Sequence, residues 1–159
     1  MPYSVPLQLE ADLQGFFIQS HPNRPNSPEV VINENLPRGL YDTVIKDSQA
    51  WDVTFYWRID GDTANAMGPF NWVLNVYLLR LSPPAGVWQA SKVVPFKVGD
   101  PVPDDYAESI NIPAYKDDPA HGVPTGLYDF HASIDIQSQA VVPVTLMGDG
   151  PMMKFYKPG

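Results

Sequence analysis

The sequence predicts an all-β fold, an antiparallel β-sandwich of about seven to nine strands, and three observations carry that prediction. Between Gly126 and Ile136, Tyr128, Phe130, Ala132, Ile134 and Ile136 alternate with Asp129, His131, Ser133 and Asp135. A strand points successive side chains to opposite faces, so this stretch reads as a strand with one buried and one wet face. The chain of 159 residues also holds 18 prolines and 11 glycines, which suits strands joined by turns and works against long helices. After Ser20 no capped amphipathic segment of helical length follows.

Residues 1–28 read as an N-terminal extension, partly docked or a linker, ahead of a domain spanning 29–159. Leu7, Leu9, Ala11 and Leu13 alternate as a strand would, while Leu9, Leu13, Phe16 and Phe17 could form a helical stripe. Pro2 and Pro6 favour the extended reading. The proline-rich stretch His21–Pro28 then crosses as a linker or loop. Val30, Val31 and Ile32 make a short apolar strand, and Leu36 to Gln49 is turn-rich.

From Trp51 to Ile59 the residues Val53, Phe55, Trp57 and Ile59 share one face, and Asp52, Thr54, Tyr56 and Arg58 the other. Asp60-Gly61-Asp62 ends that strand with turn chemistry. Phe70–Leu81 is the longest strand, with Trp72, Leu74, Val76 and Leu78 toward the core. Trp88–Val98 follows the Pro83-Pro84-Ala85-Gly86 break, and Pro95 within it argues for an edge or a bulge. Tyr106–Ile112 is a further strand. The last hairpin begins at Val142, Val144 and Leu146, with Gly148-Asp149-Gly150-Pro151 expected to interrupt it before Met152–Tyr156 closes.

Charge narrows the classes of partner. Ten basic against 18 acidic residues give a net charge of −8, so no basic surface for nucleic acid is expected, and anionic membranes repel the chain. No apolar run approaches the length of a membrane span. Met1–Pro6 lacks a basic stretch followed by an apolar one, so a cytoplasmic location is the expectation. With no cysteine, disulfides and thiolate chemistry are excluded.

A tyrosine just inside a strand, after a Pro/Gly-rich loop, is where a tyrosine corner sits. On Gly126-Leu127-Tyr128-Asp129-Phe130, the preceding strand Ile110-Asn111-Ile112-Pro113, and the core residues Trp57 and Trp72, the chain resembles an immunoglobulin-like or fibronectin-III-like sandwich. The resemblance runs from about Val30 to Tyr156, lacks the antibody-type cysteine pair, and is one of architecture. Gly86-Val87-Trp88 is similar to the Gly-x-Trp of lipocalin-like barrels, which makes a closed barrel the alternative fold.

Three sets of residues could carry function. Asp60, Asp62, Asp100, Asp104 and Asp105 fall in loops that alternate to one end of the fold, where carboxylates and carbonyls could hold Ca²⁺; turn capping explains the same residues without a metal. Trp88, Tyr106 and Tyr115, with Trp51, could stack on a sugar or other small ligand, although tryptophans also fill cores. Val73, Tyr77, Leu79 and Leu81, with Tyr56, make the second face of the long strand too apolar to lie in water. Either the N-terminal segment covers that face, or it is an interface. His131 with Asp129 or Asp135 could serve a metal-dependent enzyme, the wet side of a strand being the plainer explanation. The leading expectation is a non-enzymatic module that binds itself or another protein; a Ca²⁺-assisted small-ligand or carbohydrate binder is the alternative.

Overall fold

A computed structural model describes residues 3–11, 17–19, 29–34, 43–60, 71–95, 104–137 and 145–158. Among them all regular structure is strand, in two sheets that share one core. In chain order the strands are β1 (Tyr3–Pro6), β2 (Gln8–Ala11), β3 (Phe17–Gln19), β4 (Glu29–Glu34), β5 (Val44–Lys46) and β6 (Trp51–Asp60), then β7 (Asn71–Arg80), β8 (Gly86–Pro95), β9 (Asp104–Ile112), β10 (Gly126–Gln137) and β11 (Thr145–Tyr156). No helix long and apolar enough to cross a membrane occurs among the described residues.

The first sheet is built on β6. Strand β9 runs antiparallel along one edge, from Trp51 opposite Ile112 to Ile59 opposite Asp104. The other edge is shared: β4 pairs with Trp51–Tyr56 and β3 with Arg58–Asp60, while β1 adds outside β4. The second sheet runs β8-β7-β10-β11, and the far edge of β11 is again shared. Here β2 pairs antiparallel near Thr145 and β5 parallel near Phe155.

The alternation read from the sequence sets the faces. Trp51, Val53, Phe55 and Trp57 of β6, Trp72, Leu74, Val76 and Leu78 of β7, and Tyr128, Phe130, Ala132 and Ile134 of β10 point into the shared core. Aromatic rings close both ends of that core. At one end Trp57 stacks on Tyr106 at 4.8 Å, with Trp72 edge-on to Trp57 at 5.4 Å. At the other, Trp51 lies 5.4 Å from Phe155, which meets Tyr128 edge-on at 5.6 Å.

The described parts of the segment 1–28 are edge strands: the chain passes from the first sheet to the second between Pro6 and Gln8, and β3 adds to β6. They do not lie across the outer face of β7, where Leu79 and Leu81 stay 44% and 46% exposed. Leu13, Phe16 and the stretch 21–28 fall outside the described residues. Gly148–Pro151 does not interrupt the last strand. Asp129 faces Met152 and His131 faces Asp149, so Gly150 and Pro151 oppose the single residue Phe130 in a β-bulge. A bulge leaves a residue out of the ladder, so Pro151 forfeits no ladder hydrogen bond by lacking an N–H. Strand β5 lies within the stretch expected to be turns. Pro95 ends β8, which is the edge strand of its sheet, as its position implied.

Candidate functional site

The outward residues of the second sheet line up in rows across its strands. Val87, Leu79, Asp129 and Met152 face one another in one row; Gln89, Tyr77, His131 and Asp149 form the next. Below them come Ser91, Asn75, Ser133 and Met147, then Val93, Val73, Asp135 and Thr145.

A hydrogen-bonded ladder crosses the lower two rows. The Ser91 hydroxyl donates to Asn75 Oδ1 at 2.7 Å, and Asn75 Nδ2 donates to Ser133 Oγ and to Asp135 Oδ2, both at 3.1 Å. Thr145 Oγ1 donates to Asp135 Oδ1 at 2.9 Å. Asn75 and Ser133 are buried although they point outward, and the ladder satisfies the amide and hydroxyl that burial would otherwise leave costly. This strip is therefore rigid polar structure with its bonding capacity largely used inside the molecule.

Above it, His131 Nδ1 lies 2.6 Å from Asp149 Oδ1. The partner is on β11, across the register set by the bulge; it is neither Asp129 nor Asp135, the residues sequence reasoning offered. A histidine–carboxylate pair can orient an imidazole, but nucleophilic catalysis also needs a hydroxyl at the other ring nitrogen. Among the described residues no hydroxyl bonds His131, and Ser133 Oγ is committed to Asn75 and Asp135. No group of three or more His, Asp or Glu able to hold a metal ion occurs among the described residues, so His131, Asp129 and Asp135 are not brought together as one.

The other expected residues are scattered. Tyr56 belongs to β6, in the first sheet, where it alternates with buried Phe55 and Trp57; it lies on the opposite side of the molecule and does not join Val73, Tyr77, Leu79 and Leu81. Tyr106 is 2% exposed inside the aromatic end of the core, and Trp51 is buried at the other end; neither offers a ring face to a ligand. Trp88 is half-buried, 6.2 Å from Trp51, and borders an apolar recess of about 200 Å³ with Pro84, Pro124 and Tyr128. Tyr115 borders a separate recess of about 380 Å³ beside Lys116 and Pro119. The backbone brings Asp60 at the end of β6 and Asp104 and Asp105 at the start of β9 to one end of the first sheet. Asp62 and Asp100 lie outside the described residues.

What the structure does gather is apolar surface. Among the described residues, every large apolar side chain more than about a third exposed lies on the outer side of the second sheet, from Leu127 at 38% to Val87 at 63%. Leu79 and Leu81 were expected there. Val44, Val87, Val93, Leu127, Met147 and Met152 were missed, although alternation in β8 carried a signal for Val87 and Val93. Comparisons with family models, with curated proteins and with solved structures found no match.

Proposed function

We propose that this chain is an immunoglobulin-like sandwich that acts as a protein-interaction module through the outer face of its second sheet. The fold reading is supported by the strand orders β4-β6-β9 and β8-β7-β10-β11, which follow the pairing logic of that architecture. It is supported further by the Tyr128 hydroxyl, which donates to the Pro124 carbonyl four residues upstream at 2.8 Å, the hydrogen bond of a tyrosine corner.

The observation that carries the functional reading is the segregation of exposed apolar side chains to one face. Scattered apolar residues are ordinary on a protein surface, whereas a gathered patch with a polar rim marks a contact surface. Leu79, Val87 and Met152 share a row with Asp129, and Asp149, 83% exposed at its side chain, stands in the next. A partner that fits carries apolar side chains with lysine or arginine among them. A second copy would bring these aspartates and another net −8 against the first, so charge disfavours self-pairing.

Panning a random peptide library against the protein tests this. The recovered peptides are expected to combine aliphatic or aromatic residues with Lys or Arg, and Leu79→Asp should weaken their binding about tenfold or more. Because Leu79 is exposed, the variant should melt with the parent. Equal binding to both proteins overturns the reading. So does a dimer, seen by light scattering, that Leu79→Asp dissolves, since a second copy would then occupy the face.

A further inference from the structure

Where β7, β10 and β11 end together, a recess of about 360 Å³ carries three cationic side chains, Arg80, Lys154 and Lys157, and no carboxylate among its lining residues. The chain has 18 acidic and only ten basic residues, so three cations without an acid run against its composition. None of the three is paired with a carboxylate among the described residues.

The cations differ in how they are held. Arg80 Nη2 donates to the Thr125 carbonyl at 2.8 Å, Nε approaches Ser82 Oγ at 3.4 Å, and the guanidinium lies 5.8 Å from the Tyr128 ring centroid. A guanidinium has five N–H donors, so three remain for a ligand after these two contacts. Ser82 Oγ also accepts the Leu127 N–H at 3.2 Å. With both lone pairs of Ser82 engaged, the function left to it is its own O–H donor. Gly126 makes this arrangement possible: a Cβ there would stand 2.9 Å from Ser82 Oγ and 3.1 Å from Arg80 Nε. Lys154 and Lys157 line the recess and are exposed.

Unused guanidinium donors and positive charge with no carboxylate beside them call for an acceptor from outside. We propose that the recess is an oxyanion site, taking a carboxylate or phosphoryl group. It goes beyond the interaction face, which rests on Leu79, Val87 and Met152.

Amide spectra of the ¹⁵N-labelled full chain, titrated at constant ionic strength with inorganic phosphate and separately with acetate, test the site. Saturable shifts at Gly126 and Leu127 are expected with at least one anion; response to phosphate alone identifies a phosphoryl ligand, and response to acetate a carboxylate. Lys154→Gln with Lys157→Gln, both at exposed positions, should weaken binding about tenfold while leaving the rest of the spectrum in place. Arg80→Lys, which keeps the charge but loses the fork, should weaken it further. Linear shifts with both anions, or saturable shifts of equal affinity in the double variant, overturn the proposal. Either failure leaves peptide binding at the Leu79 face untouched.

Discussion

Tyr128 does two jobs with one side chain: its ring packs edge-on against Phe155 in the core, and its hydroxyl ties the loop before β10 to the strand through the Pro124 carbonyl. Burial pushes the phenol above its usual value of 10.0, with the Arg80 guanidinium pulling the other way and Tyr115 adding to the rise. A proton held more tightly in the folded than in the unfolded state stabilises below the unfolded value, and that stability is lost as pH climbs past it. Tyr128→Phe is therefore expected to cost about 1 kcal/mol near neutrality, from the lost hydrogen bond. The gap between parent and variant should then narrow above about pH 10, in urea melts at the two pH values. This residue was legible because its alternation and the loop before it are both local. Tyr106 was not: alternation says which residues share a face, but only the pairing of β9 with β6 decides that its ring stacks on Trp57, out of reach of a ligand. Asp149 escaped for a related reason, since its pairing with His131 depends on the register shift its own strand makes against β10.

That shift is an element-scale device. In β11 the pair Gly150 and Pro151 passes opposite Phe130, and a Cβ on Gly150 would come within 2.5 Å of Phe130 Cδ1 and 3.1 Å of Val5 Cγ2. Phe130 is fully buried and has nowhere to retreat. Gly150→Ala should cost about 1–3 kcal/mol, the range for overpacking a filled core. Gly86 is the internal control, because a Cβ there meets nothing within 4 Å and the backbone has no positive φ. Gly86→Ala should be neutral or gain up to about 1 kcal/mol through the unfolded chain. Denaturant melts of the two variants check both signs. Gly and Pro in sequence signal a break in regular structure, and they signal a turn and a bulge alike; what separates them is whether a neighbouring strand pairs on both sides of the break. Strand β5 was hidden likewise, since three residues acquire strand character only by lying parallel to the end of β11. Pro95 was readable because its missing N–H restricts it to an edge whatever its neighbours.

For the molecule as a whole, the all-β class and the long strands were visible in the sequence; the full set of eleven strands among the described residues, against the seven to nine expected, and their division between two sheets were not. Tyr56 and Val73 have similar patterns but lie in different sheets, because pairing is set by residues far apart in the chain. Two kinds of contact hold the sheets together. One is the core, where Trp57 and Tyr106 from the first sheet meet Trp72 from the second. The other is the seam between edge strands β8 and β9, where Lys92 Nζ reaches Glu108 Oε2 and the Ser109 carbonyl, both at 3.1 Å. The seam pair is partly in water, 41% and 34% exposed, so solvent screens it and its worth is about 1 kcal/mol or less. Removing the Trp57 ring takes away a stacked and an edge-on partner and leaves a cavity, at about 3–5 kcal/mol. Trp57→Ala should therefore destabilise the whole protein severalfold more than Lys92→Met in denaturant melts. Lys92→Met should show its effect locally, as faster amide exchange in β8 and β9 with the core strands β7 and β10 still protected. If the two variants were equally destabilised, the seam rather than the aromatic core would be what joins the sheets, and opening of β8 would be the first step in unfolding.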